Sequence, residues 1–518
     1  MGLILWTWLA PEARVPGGSL VVQVAADATL TNLVAEFEVP QEILDAETDG
    51  TVRISLDGWL SSGQTYYYRF VYERVASRVG RCRTLPAPGA AISRLTFGVV
   101  TCQDYTNGYF GALARLADRD VDFVVHLGDF IYETVGDPSF QSLPFADRRI
   151  VLPSGQIAAM GLEDYRFLYR HYRADPLLQK LLERHTLIAI WDDHETANDC
   201  YWDDTRDTLG APDHPLSSNG GDPARLRQLK LDAMRAWSEY LPTAVAPDPS
   251  ASHPFDYFQI YRQFRFGSLV DLFMTDERTY RSPHPCGEDE RLASTGCFQQ
   301  LLPSQTMLGT RQRNWLIAGM SRSAARWKVW GNSVFQGALK LGRTRWADVY
   351  ASTDAWDGYE GERAIIMRAL KRAGVKNLVA LTGDLHTYMA SLLKISYADR
   401  DNTNADNLVG VEFMTPAVTS SNIRDLLSNL SSDLSVAARK AKLELSPNLI
   451  EKVVLQTNPH IHFFNSDFWG YSTVEFTPQH CTYTAYKVDK TTNSALAAET
   501  VLRQIRTPID KPSFIDLV

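Results

Sequence analysis

Five apolar runs in this chain each lead into residues able to ligate a metal. "TFGVV" runs into Thr101-Cys102-Gln103-Asp104, "FVVHL" into Gly128-Asp129 and then Tyr132, and "LIAIW" into Asp192-Asp193-His194-Glu195. "WKVWG" leads to Asn332, and "LVALTG" to Asp384 and His386. A single Gly-Asp after a strand is ordinary turn chemistry, because Gly frees the backbone and Asp bonds the local chain. Thiol, carboxylate, phenol, amide and imidazole groups gathered at successive strand ends exceed what turns require. Mixed oxygen and nitrogen donors with several carboxylates suit two or more hard or borderline cations that share a bridging carboxylate. Nucleotide binding is the rival for strand-end chemistry, but no GxGxxG or GxxxxGK[ST] follows any of these runs.

Such convergence needs a scaffold that lines strand ends along one edge, as the carboxyl ends of an α/β sheet do. The apolar runs, with "GSLVDLFMT" among them, do not alternate. Most are separated by helical spacing, as in "GYFGALARLADRD", "DAMRAWSEYL", "RQRNWLIAGM" and "GERAIIMRALKRAG". Continuous apolar strands interleaved with helices predict an α/β sheet buried on both faces over residues 94–518. "NPHIHFFNSDFWGYSTVEFTP" and "CTYTAYKVD" alternate and close this part with antiparallel strands. The polar, Gly/Pro-rich stretches 133–165 and 199–225 read as loops over the site, and the tail after residue 475 as a covering segment. Residues 1–85 instead read as short strands, "GSLVVQVAAD", "NLVAEFEV", "GTVRISLDGWL" and "TYYYRFVYE", which predict a small β-sandwich. The Pro/Gly/Ala stretch ending at residue 93 supplies a linker, residues 86–93.

The chain's 518 residues allow one very large domain or two to three ordinary ones, and 45% hydrophobic with 22% charged residues describe a globular protein. A net charge of −9 argues against general nucleic-acid binding. No apolar run approaches the roughly 20 residues of a membrane span. The opening "MGLILWTWLAPEARVPGG" has no basic segment before its apolar stretch and no clear cleavage site, so it reads as a poor signal peptide. Cytoplasmic residence and earlier removal of an export signal both stay open. Six cysteines are too scattered for a disulfide scaffold. Cys286 and Cys297 bracket the short loop "CGEDERLASTGC" and either pair, which needs an oxidising compartment, or remain thiols.

The motifs are specific in combination. "GDFIY" matches the GDxxY block of purple acid phosphatases and PhoD-type alkaline phosphatases. "WDDHE" resembles the PhoD version of the metallophosphatase GNH[DE] block, "TGDLH" its GHxH block, and "TCQDYTNGYF" the first block with cysteine for aspartate. "TDERTYRS", "TMLGTRQRNWL", "NPHIHFFNS" and "LSSGQTYYYRF" resemble further PhoD segments in the expected order, from the sandwich to near residue 475. The resemblance implies a four-layer α/β/β/α metallophosphoesterase core behind an N-terminal β-sandwich. It also implies a ferric ion (Fe3+), two calcium ions (Ca2+) and a small-molecule phosphate mono- or diester as substrate.

On the matching positions, Asp129 would bridge metals, since its two oxygens can reach different cations. Tyr132 would bind Fe3+ as a phenolate. Cys102, otherwise a small buried hydrophobe, would add a thiolate. Asp193 stands at the metal-binding Asn of GNH[DE] and Asp384 at the first His of GHxH, and the added charge suits calcium. His386, two residues on, would aim at the same centre. Asn332 could offer a carbonyl oxygen, as could Asn198 unless it only caps a turn. His194 would bond phosphate or protonate the leaving group, or else sit as a core histidine. Arg278 would grip substrate phosphate in a bidentate fork, or pair with Asp276. A metal-bound water or hydroxide would attack in line, and with no serine or threonine at an obvious nucleophile position no phosphoenzyme is expected. The alternatives are a purple-acid-type phosphatase with a Fe–Zn2+ or Fe–Fe pair, for which neither GNH nor GHxH is intact, and a non-enzymatic metal-stabilised binding protein.

Overall fold

The computed structural model describes residues 2–288, 291–343, 348–423, 425 and 447–518. Two seven-stranded sheets dominate it. The first runs Leu187–Ala189, Phe123–His126, Leu95–Val100, Gly470–Phe476, His480–Val488, Glu499–Pro508, Ile515–Asp516. Its first three strands are parallel and the rest antiparallel. The second runs Arg262–Phe266, Val270–Met274, Trp327–Gly331, Leu378–Thr382, Leu408–Met414, Tyr388–Lys394, Ile461–Asn465, with the second to fifth parallel.

Every residue of Leu95–Val100 and of Leu378–Thr382 is buried, which is why these strands read as unbroken apolar runs. The inner faces of the two sheets pack on each other. Phe97 meets Phe266 edge-on at 5.2 Å, Trp327 lies 5.8 Å from Phe476, and Phe413 stacks on Tyr483 at 4.8 Å. Outside the second sheet, Phe273 and Trp330 share a core with Leu316 and Met320 of the helix Gly309–Arg322 and Ile366 and Met367 of the helix Glu360–Arg372. Outside the first, the helix Gly111–Ala117 comes so close that a Cβ on Gly98 would stand 2.6 Å from Leu116 Cδ1. The layers are therefore α/β/β/α, as the resemblance implied.

The N-terminal strands have a core of their own, with Val22, Val24, Val52, Ile54 and Phe70 buried together. The apolar opening of the chain is a strand, Ile4–Trp8, paired with Thr51–Ser55, and its Leu5 belongs to that core. A short helix, Gln41–Leu44, interrupts the run of strands.

The tail after residue 475 differs from expectation. Rather than covering the site it supplies the strands His480–Val488 and Glu499–Pro508 of the first sheet, because Cys481, Tyr483 and Ala485 point into the buried core. The turn between them reaches the strand ends, where Lys490 Nζ donates to Thr419 O at 2.7 Å. The two polar stretches also carry structure: the helix Leu162–Arg173 begins inside one, and a hairpin of Tyr201–Asp203 with Thr208–Gly210 lies in the other.

Candidate metal centre

Parallel register fixes which strand ends stand together. Val100 lies opposite His126 and His126 opposite Ala189, so Cys102, Asp129 and Asp192 leave the first sheet side by side. In the second sheet Gly331 lies opposite Leu381, which brings Asn332 and Asp384 to the same edge. Backbone bonds lock the exits: Cys102 N–H donates to Gly128 O at 3.2 Å and Asn332 N–H to Leu381 O at 3.0 Å. Glu195 clamps two exits at once, accepting from the N–H groups of Asp129 (2.9 Å), Phe130 (2.6 Å) and Asp192 (2.8 Å).

The backbone there is strained. Cys102 (φ 54°), Asp129 (φ 57°), Asp384 (φ 67°) and His386 (φ 58°) all adopt the left-handed region. Each such residue costs about 1–3 kcal/mol, and strain of this kind collects at functional sites.

The side chains form three overlapping groups: Cys102 with Asp129 and His386, Asp129 with Asp193 and His194, and Asp192 with Asp193 and Asp384. Within each group the ligand atoms lie within 4.8 Å of one another. Asp129 belongs to two groups and Asp193 to two. Buried polar groups in native proteins are bonded, yet Asp129 Oδ1, Asp193 Oδ1, Asp192 Oδ2 and both Asn332 amide atoms have no hydrogen-bond partner. Asp193 Oδ1 has the Arg278 guanidinium 3.7 Å away, beyond hydrogen-bond reach, and acidic oxygens without a hydrogen-bond partner and out of water fit bound cations.

Tyr132 Oη donates to Asp129 Oδ2 at 3.0 Å, accepts from Ser420 Oγ at 2.5 Å and lies 3.4 Å from His386 Nε2. His386 Nδ1 bonds the Ser421 carbonyl, which orients the other ring nitrogen toward Cys102 and Asp129. Burial, then the Asp129 carboxylate, pushes the pKa values of Cys102 and Tyr132 up from their ordinary range. A cation beside them would reverse that balance. Burial holds His386 down at about 4, so its ring is neutral and able to ligate. His194 stacks on Tyr132 with centroids 4.0 Å apart, and its Nδ1 meets Glu133 Oε2 at 2.7 Å. Burial disfavours its charged form, but Asp193, Glu133 and Asp129 outweigh burial and raise its pKa.

Arg278 does not form the ion pair with Asp276 that the sequence offered. Asp276 accepts instead from the backbone N–H groups of Arg278 and Thr279 and from Trp191 Nε1, so no ion pair joins it to the guanidinium. The guanidinium is fully buried, with Nε 2.5 Å from Asp192, Nη1 2.8 Å from Asp354 and Nη2 3.4 Å from Asp384. Asp354 also meets Arg281 at 2.9 Å and His284 Nε2 at 2.7 Å. Asn198 stands apart from the three ligand groups. Its amide donates to Asp213 at 2.7 Å, while its backbone N–H donates to Glu133. Cys286 and Cys297 form a disulfide, and Arg291 within its loop pairs with Asp199 at 2.5 Å. Asp199 N–H in turn holds Asp193 Oδ2 at 2.6 Å.

The sequence placed Asp192 and Glu195 at the strand end with "WDDHE" but gave neither a role, and Glu133, which closes "GDFIYE", was not singled out. Adjacency to the motif was their only signal. Ser420 and Asp354 had none.

Comparison with known proteins agrees with this geometry. The family model described as PhoD-like phosphatase matches residues 97–485, and that described as PhoD-like phosphatase, N-terminal domain, matches residues 1–86. The chain is 28% identical over 488 residues to alkaline phosphatase D of Bacillus subtilis (strain 168), covering 92% of this chain and 73% of that protein. A solved structure titled "Structure of PhoD" superposes with a TM-score of 0.79 at 25% identity, covering 100% of this chain and 90% of that one. With family models spanning both parts of the chain and strand-end groups suited to cations, the chain belongs to the PhoD-like phosphatase family and is a phosphoric ester hydrolase.

Proposed function

We propose that the chain hydrolyses phosphate mono- or diesters in a single in-line displacement by water at this metal centre. The observation that carries the reading is the set of buried carboxylate oxygens on Asp129, Asp192 and Asp193 without a hydrogen-bond partner, shared out among overlapping ligand groups, with the unbonded Asn332 amide at the same sheet edge. Cys102, Asp129, Tyr132 and His386 would hold Fe3+, a set in which thiolate, phenolate and carboxylate offset a trivalent charge. Asp129, Asp192, Asp193, Asp384 and Asn332 would hold two Ca2+ ions, whose preference is for oxygen. When bound, these cations supply Lewis acidity toward the phosphoryl oxygens and lower the pKa of a water.

The chain's own groups do the rest. His194, held at Nδ1 by Glu133 and braced flat on Tyr132, presents Nε2 to the centre, where it bonds a phosphate oxygen and delivers a proton to the leaving alkoxide. Arg278 acts as a positioning residue: its buried fork spaces Asp192, Asp354 and Asp384 and offsets their mutual repulsion. Ser420, the hydroxyl against Tyr132, is committed to that phenol and to the Cys102 carbonyl at 2.9 Å, which makes it a poor nucleophile. A chiral thiophosphate substrate tests this directly. Inversion at phosphorus is expected, and retention would replace direct water attack with a covalent intermediate.

A further inference from the structure

Between the N-terminal strands and the first seven-stranded sheet lies a cavity of about 180 Å³. Arg81 and Arg83 reach it from the strand Gly80–Arg83, Arg173 from the last turn of the helix Leu162–Arg173, and Arg262 from the edge strand Arg262–Phe266. No Asp or Glu is among the described residues that line it. A gathering of guanidiniums around one small space is unexpected in a chain of net charge −9.

Their partners account for part of it. Arg83 forms an ion pair with Asp122, behind the cavity wall. Arg262 donates from Nη1 to the Ile260 carbonyl and from Nη2 to the Ala189 carbonyl at 2.7 Å each, neutral acceptors that leave its charge unopposed. Arg173 lies flat on Trp6, its Cζ 3.5 Å from the ring centroid, while its buried Nε and Nη1 have no hydrogen-bond partner. Stacking fixes the plane of the fork and leaves the N–H edge available within that plane. Burial pushes Arg173 down to about 9 and Arg262 down to about 10, as expected for cations out of water without a counter-charge.

Two further lining groups are unspent: Thr243 Oγ1 and His185 Nδ1 are buried without a partner. His185 Nε2 is already committed to the Ala117 carbonyl at 3.1 Å. The open Arg173 edge, a hydroxyl and unopposed positive charge facing one space make an oxyanion site, in which the arginine fork matches paired oxygens, while Arg81 donates to the Arg184 carbonyl at 3.3 Å. The volume falls below the roughly 300–1,000 Å³ of pockets that take drug-sized ligands, so the occupant is small.

We propose that this cavity binds a tetrahedral oxyanion of the phosphate class, either free or as the head of a small ester, and so ties the N-terminal strands to the sheet beside them. None of the metal-centre side chains lines it, and the proposal stands whether or not the hydrolytic reading does. An anion held only by the folded form raises stability through mass action.

The test uses the full chain carrying Asp129→Asn, so that turnover does not consume the ligand. Inorganic phosphate and, separately, glycerol phosphate are titrated by calorimetry at constant ionic strength, and again after adding Arg173→Gln or Thr243→Val. The expected result is a saturable phosphate-binding event that weakens by at least about tenfold with Arg173→Gln, the loss of a charge-assisted bond, and severalfold with Thr243→Val. Tighter binding of glycerol phosphate would identify an ester as the ligand, and tighter binding of inorganic phosphate the free anion. Crystals soaked in selenate should show anomalous density against the Arg173 edge. Unchanged binding in both variants, or no density there, overturns the proposal. Should Arg173→Gln fail to fold, Thr243→Val decides alone, since it exchanges a hydroxyl for a methyl of the same shape.

Discussion

The strand-end centre and the arginine-lined cavity are opposite in sign and alike in construction. At the strand ends buried carboxylates have bare oxygens, and at the junction a buried guanidinium has bare N–H groups. Between them stands a third cluster, Arg278, Arg281, His284 and Asp354, where each ion meets an opposite charge within 2.9 Å. Burying an ion is costly unless it is paired. The paired cluster accounts for itself as structure, whereas at the strand ends Arg278 meets only part of the carboxylate charge and at the junction no carboxylate meets Arg173 among the described residues, so both have room for a ligand of opposite charge.

The largest effect expected from breaking this contrast comes from Asp129→Asn. Removing the carboxylate shared by two ligand groups should lower ester hydrolysis by about a thousandfold or more, since metal contributions of several kcal/mol translate at 1.36 kcal/mol per tenfold. Full activity in the folded variant would move the centre elsewhere. Arg278→Met should instead cost about 3–5 kcal/mol of stability, because Asp192 would be left buried without its cation, while Asp354 keeps Arg281 and His284. Chemical denaturation measures this, and unchanged stability with a raised KM would restore Arg278 as the phosphate fork. His194→Gln should reduce kcat by about a hundredfold, the usual scale for a lost general acid, with metal content intact. The loss should shrink on an ester whose leaving group needs no proton, and an equal loss on both esters would contradict the assignment.

The smallest effect belongs to a paired, neutral group. Burial holds His460 down at about 3, with Nε2 on the Ala338 carbonyl at 2.8 Å. Between about pH 6.5 and 3 the unfolded chain binds a proton that the native ring refuses, so stability is full above 6.5 and falls as pH drops through that window. His460→Gln should flatten this part of the stability profile, and an unchanged slope would assign the acid loss to other groups.

The parallel strands were legible because burial on both faces leaves an unbroken apolar run, as in "LVALTG". The rule that ligands gather at carboxyl ends then placed Cys102, Asp129, Asp193, Asn332 and Asp384 along one edge before any coordinates. The strand Glu499–Pro508 was not legible, since its residues are mostly half-exposed and alternate weakly. Its role as sheet rather than cover depends on pairing with His480–Val488. Asp354 was equally hidden. It follows Asp348–Ser352, a half-buried strand of a separate small sheet, and meets Arg278 only through the tertiary fold. The arginine cavity draws on elements scattered from Ile4–Trp8 to Arg262–Phe266, a juxtaposition that no local pattern encodes.

The central claim is that the bare acidic oxygens at the strand ends hold the cations that make this chain a phosphoesterase. Metal analysis of the purified full chain, with hydrolysis assayed before and after chelation, tests it most directly. About one iron and two calcium ions per chain, with activity lost on chelation and regained on resupply, is the predicted result. Full hydrolysis by metal-free protein would contradict the claim, and zinc or a second iron in place of calcium would overturn the assignment of the oxygen-rich pockets.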